Sequence, residues 1–72
     1  MTRSFEFVAG NSAKFWEIHR DGCDVTVRFG RIGSEGQTIP KTLSDKKATA
    51  HYADKLVAQK LAKGYAECQP VA

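Results

Sequence analysis

LSDKKATAHYADKLVAQKLAKG, residues 43–64, decides the fold, because its apolar spacing differs from everything before it. Ala53, Leu56, Val57 and Leu61, with Ala48 and Tyr52 beside them, recur at helical intervals and form one stripe. No glycine or proline interrupts residues 45–63. Ser44 is placed to cap the N-terminus, and Asp45 brings a negative charge to the first turn, where the helix dipole favours it. Lys60 and Lys63 lie near the C-terminal end, which favours cations. Gly64 stands where a left-handed C′ residue ends a helix. Lys46, Lys47, Asp54 and Lys55 fall on the polar side.

Upstream of this helix the period is two. Phe5 and Phe7 alternate with Ser4 and Glu6, and Trp16 and Ile18 alternate with Glu17 and His19. Cys23, Val25 and Val27 alternate with Asp24, Thr26 and Arg28, and Ile39 and Leu43 share one side of a last segment. Turn residues separate these runs: AGNS at residues 9–12, Asp21-Gly22, and Ser34-Glu35 between Gly33 and Gly36. Pro40 cannot donate to a ladder, so the fourth strand belongs at an edge or carries a bulge. The reading is an α+β fold: a four-stranded twisted antiparallel sheet with one long C-terminal helix packed on one face. Residues 66–72 read as a short tail or a final pairing segment. The expected core is Phe5, Phe7, Trp16, Ile18, Val25, Val27, Ile39, Leu43, Tyr52, Leu56 and Val57.

Seventy-two residues make a single domain, residues 1–72, with a thin core and little room for an enclosed catalytic pocket. Hydrophobic residues at 42% and charged residues at 26% fit a folded soluble domain better than a disordered chain. No apolar run approaches the ~20 residues of a membrane span. The first ten residues break into alternation at once, unlike a secretory signal, so the expected location is cytoplasmic. Cys23 and Cys68 are far apart and lack companion ligands, which predicts two free, partly buried thiols. His19 and His51 have no ligand-spaced partner, and neither a nucleophile elbow nor a phosphate-loop spacing is present. The reading is therefore no enzyme, no metal, no cofactor and no small-molecule substrate.

What remains is the basic residues around VRFGRIGSEGQ, residues 27–37. The net charge of +3 permits an anionic partner without requiring one. Lys14, Arg28 and Arg31 gather near one end of the sheet if the hairpins pair as read, with Arg20 at the other end of its strand. Phe29 has two readings. In a regular strand its parity puts it in the core with Val25 and Val27. If Gly30 bends the chain, the ring turns to the rim, where an aromatic beside arginines can stack on a sugar or base.

The segments GNSAKFWEI, VTVRFGRIGSEGQ and KLVAQKLAKGY together resemble the WGR domain, in its small stand-alone bacterial form related to the WGR domains of poly(ADP-ribose) polymerases. The family's Trp-Gly-Arg signature falls on Phe29-Gly30-Arg31, followed by the matching Ile32-Gly33 and Gly36-Gln37. Lys14-Phe15-Trp16, Lys60 and Lys63-Gly64-Tyr65 match in order. The resemblance implies the fold derived above and, from the polymerases, binding of DNA ends. There the signature Trp packs on the terminal nucleotide and the signature Arg helps join DNA to neighbouring domains, roles that fall here on Phe29 and Arg31. Two positions depart from the pattern: Phe29 replaces the Trp and loses its indole donor, and Ala13 replaces an Asn. The candidate nucleic-acid-binding residues are Lys14, Arg28, Phe29, Gly30, Arg31 and Gln37. The expected function is a non-catalytic module for DNA ends or nicks. The alternative is a protein–protein or homodimer contact with no nucleic-acid role.

Overall fold

The computed structural model describes residues 2–68. Strands β1 (Thr2–Ala9), β2 (Ser12–Asp21), β3 (Asp24–Arg31) and β4 (Gln37–Thr42) form an antiparallel meander. Helix α1 (Lys46–Ala62) then carries the chain back across the sheet, and β5 (Ala66–Cys68) pairs antiparallel with β1. The sheet therefore has five strands in the order β4-β3-β2-β1-β5, one more than the alternation predicts. Residues 66–68 are the final pairing segment, and the rest of the expected tail, residues 69–72, lies outside the described residues. Three residues are too few to show a period, so this strand left no pattern to read.

Register fixes which side chains share a face. Phe5 lies opposite Trp16, Ile18 opposite Val27, and Trp16 opposite Phe29, so these residues meet under the helix. Phe5, Trp16, Ile18 and Val25 are buried, closed from above by Ala53 and Val57 of α1. Thr49, absent from the expected core, is fully buried; its hydroxyl donates to the Asp45 carbonyl at 2.7 Å, so its burial leaves no polar group unsatisfied.

Three sequence expectations are corrected. The N-cap is Asp45, not Ser44: its carboxylate accepts from the Ala48 N–H at 2.7 Å on an extended backbone. Leu61, expected in the apolar stripe, is 49% exposed in the last turn. Ile39, expected in the core, is 52% exposed. The helix lies over β2 and β3, and the inner face of β4 is left uncovered. Pro40 sits in unbroken register opposite Thr26, so β4 is an edge strand without a bulge.

The end of α1 is built by its last residues. Tyr65 N–H bonds the Lys60 carbonyl and Gly64 N–H bonds the Leu61 carbonyl, the paired closure of a Schellman motif. Gly64 takes φ +100°, and a Cβ there would stand 3.2 Å from the Phe7 ring. The chain can therefore drop onto β1, where Tyr65 packs its ring 5.5 Å from that of Phe7. Phe7 is thus half-buried beneath Tyr65. Beyond it, Arg3 holds Glu67 of β5 by two bonds of 2.7 Å, which keep the Glu67 carboxyl below its ordinary pKa. Cys23 and Cys68 are free and half-buried. No described helix is long and apolar enough to cross a membrane.

Candidate nucleic-acid interface

Phe-Gly-Arg does not bend the strand. β3 keeps its ladder through Arg31, with Phe15 opposite Gly30 and Lys14 opposite Arg31. The glycine serves the outer face instead. A Cβ on Gly30 would meet the Gly36 Cα at 2.8 Å, and one on Gly36 would meet the Phe29 carbonyl oxygen at 2.4 Å. The β3–β4 loop folds back onto the strand only because both side chains are missing, and Gly36 has φ +72°.

A regular strand sorts the candidates by parity. Lys14, Phe29 and Arg31 share the helix side with Trp16. They line a groove of about 390 Å³ at the end of the sheet, completed by Gly30, Asn11, Lys60 and Tyr65. The strand stays regular, so the bent-strand reading of Phe29 does not apply: the ring lies on the core side and packs against the core, half-buried, while also lining this groove.

Arg28 belongs elsewhere. It projects from the opposite face, where it pairs with Glu17, donates to the Glu35 carbonyl at 2.9 Å and lies 4.8 Å from the Phe15 ring. Gln37 is the β4 neighbour of Phe29 and is exposed, but does not line the groove. Of the six candidates, four are therefore brought together and two are not.

The electrostatics of the groove are one-sided. Among the described residues neither Lys14 nor Arg31 pairs with a carboxylate, and both are exposed. They stand directly opposite each other, an arrangement in which like charges destabilise a sheet. Lys60 adds a third cation, its Nζ 5.7 Å from the Trp16 ring and 5.4 Å from that of Tyr65. Burial, and after it the like charge of Lys63, lowers the Lys60 pKa from the ordinary lysine value. An anion bound nearby would favour its charged form.

Lys60 and Tyr65 were not among the candidates. Their signal was the helix-ending Lys-Gly-Tyr, which places Tyr65 against both Phe7 and Lys60. A second groove, of about 420 Å³, adjoins the first between α1 and β4, and Trp16, Phe29 and Lys60 line both. Neither groove has an Asp or Glu in its lining. His19 and His51 are exposed, and among the described residues no cluster of three His, Cys, Asp or Glu side chains could hold a metal.

Comparison with known proteins agrees with the fold. The model of the WGR domain family matches residues 1–71. The chain is 35% identical over 65 residues to protein YehF of Escherichia coli K12, covering 90% of this chain and 24% of the relative. It is 34% identical over 67 residues to the uncharacterized protein YfeS of the same organism, covering 93% of this chain and 28% of the relative. A crystal structure of a Bacteroides fragilis protein superposes with a TM-score of 0.92 at 42% identity, over 96% of this chain and 20% of that one. The chain thus spans about a quarter of the length of these relatives. Since the family model covers residues 1–71, nearly the whole sequence, the chain belongs to the WGR domain family.

Proposed function

We propose that this chain is a non-catalytic nucleic-acid-binding module that takes DNA ends or nicks at the groove formed by Lys14, Phe29, Gly30, Arg31 and Lys60. One observation carries the reading: Lys14 and Arg31 oppose each other across the sheet, neither paired with a carboxylate among the described residues, beside a half-buried aromatic ring. Opposed cations weaken a sheet, and a phosphate between them turns that repulsion into attraction. Arg31 offers a guanidinium that can bond phosphate in two places, while Lys14 and Lys60 act as point charges. Phe29 offers the open side of its half-buried ring to the terminal nucleotide, and Gly30 seats the β3–β4 loop behind the strand that carries it. Arg28 is committed to Glu17 and Phe15 and takes no direct part; Gln37 stands at the margin.

The experiment is a titration of the protein against blunt, nicked, 5′-phosphorylated and single-stranded oligonucleotides at two salt concentrations. Affinity should fall steeply with salt, because phosphate contacts release counterions. An affinity indifferent to salt would sink the proposal.

A second reading rests on β4, whose six residues are all exposed and whose outer edge is open. Such an edge can pair with a strand of a protein partner or of a second copy. Pro40 blunts it, which favours the groove as the working surface.

A further inference from the structure

The second groove exists because the helix leaves β4 uncovered. Its walls are apolar: Ile39 and Phe29 on the sheet side, Tyr52 and Leu56 on the helix side. Its cations are two. Lys41 Nζ lies 4.8 Å from the Tyr52 ring, and Lys60 Nζ lies beside Trp16, at the junction with the first groove. A volume of about 420 Å³ falls in the ~300–1,000 Å³ range of sites that accept a small organic group.

We propose that this groove holds an unpaired nucleotide continuing from a DNA terminus bound at Phe29 and Arg31, its base against Tyr52 and Ile39 and its phosphate near Lys41 and Lys60. The inference rests on the DNA-end reading and adds a substrate class to it: duplex ends with a single-stranded overhang. Three features select this occupant. The lining has cations and no carboxylate, which suits a polyanion. Its rings and branched side chains suit the face of a base, and such stacking tolerates any sequence. With the terminal pair's exposed face taken by Phe29, only a base that is unpaired and splayed out of its stack offers a further face to the second groove. The two grooves meet at Phe29 and Lys60, so one strand can cross from one to the other.

The test is fluorescence anisotropy with three hairpin duplexes of equal length: blunt, with a two-nucleotide 5′ overhang, and with a two-nucleotide 3′ overhang. The salt is ~0.15 M, where screening confines charge effects to about 8 Å. One overhang polarity should bind at least about fivefold tighter than the blunt end, the lower bound of one stacked base. Ile39→Glu puts a carboxylate in the groove at a position already half in solvent, so the fold survives, which circular dichroism checks. It should abolish the overhang advantage and leave blunt-end affinity within about twofold. Blunt ends bound as tightly as both overhangs would overturn the inference and leave the DNA-end reading standing. No binding to any duplex would overturn both. An advantage that survives Ile39→Glu overturns the assignment to this groove. So does a dimer in sedimentation that Ile39→Glu dissociates, which would give the groove to a second copy of the chain.

Discussion

Arg28 and Arg31 are three residues apart and serve two different surfaces. On the outer face, Arg28 is neutralised by Glu17, tied to the Glu35 carbonyl and laid beside Phe15. On the inner face, Arg31 faces Lys14, neither paired with a carboxylate among the described residues, and Phe29 lies alongside. The same ingredients, a guanidinium and a phenyl ring, make a closed surface on one side and an open one on the other. The difference lies in the third partner. Where an acid completes the set, the charge is spent within the fold. Where a second cation stands instead, the two like charges repel, and an anion placed between them would relieve that repulsion. Charge counts cannot reveal this, because both arginines contribute equally to the net +3.

The largest expected effect tests whether the inner face also carries the stability. Trp16 is 3% exposed and contacts Phe5 at a ring separation of 5.5 Å, so Trp16→Ala should cost roughly 3–5 kcal/mol and unfold so small a domain. Phe15→Ala, one residue away on the outer face, should leave a folded protein. Thermal melts of the two variants check the contrast, and equal losses would break it.

Phe29 sharpens the comparison, since it belongs to the core and to the groove at once. Phe29→Ala should cost about 2 kcal/mol of stability, less than a fully buried Phe. It should also weaken DNA binding by ~1–3 kcal/mol, as loss of a stacking ring does. The adjoining grooves give a larger ring room, so Phe29→Trp should keep the melting temperature and hold or improve binding. A Trp variant that melts lower would mean that the ring is core alone.

The two arginines allow a direct exchange. Arg31→Ala should weaken DNA binding about tenfold, in line with ~1.5 kcal/mol for a charged hydrogen bond, and reduce the salt slope by ~1. The same change relieves repulsion with Lys14, so its melting temperature should hold or rise. Arg28→Ala should do the reverse: binding stays within about twofold, and stability falls slightly as the Glu17 pair is lost. Equal binding losses from both would replace a specific site with diffuse attraction.

Most of the architecture was legible because it rests on periodicity. Alternation marked the meander, the shift to helical spacing marked α1, and Gly64 marked its end. What escaped depended on placement across the sheet. Ile39 looked like core because alternation shows which face a residue points to, not whether a helix covers that face. Arg28 looked like a partner of Arg31 because nearness in sequence hides the parity of a strand. Lys60 and Tyr65 reach the groove through a helix end and a three-residue strand, and neither leaves a repeating pattern. Lys14, Phe29, Gly30 and Arg31 were recoverable because one register step brings them to a common end.

The smallest effect concerns the far end of the inner face, where the sheet does complete an arginine with an acid. Arg3 grips Glu67 with two bonds of 2.7 Å, and this bonding lowers the Glu67 pKa from its ordinary value of 4.5 despite partial burial, which opposes it. A carboxyl held lower in the folded state than in the unfolded one stabilises the fold above its unfolded pKa. That contribution is lost as pH falls through the lowered folded value. The wild-type melting temperature should therefore gain an acid-side decline, beginning just below pH 4.5, that Glu67→Gln lacks. The pair is partly exposed, so the decline should be small and should shrink further in high salt. Because β5 follows directly on Tyr65, loosening it should also free the Tyr65 ring from Phe7 and Lys60. Tyrosine fluorescence should then change over the same pH range as the melting temperature. A wild-type profile that superposes on that of Glu67→Gln would mean that β5 is held by its ladder alone, and that this partly exposed ion pair adds nothing measurable to the fold.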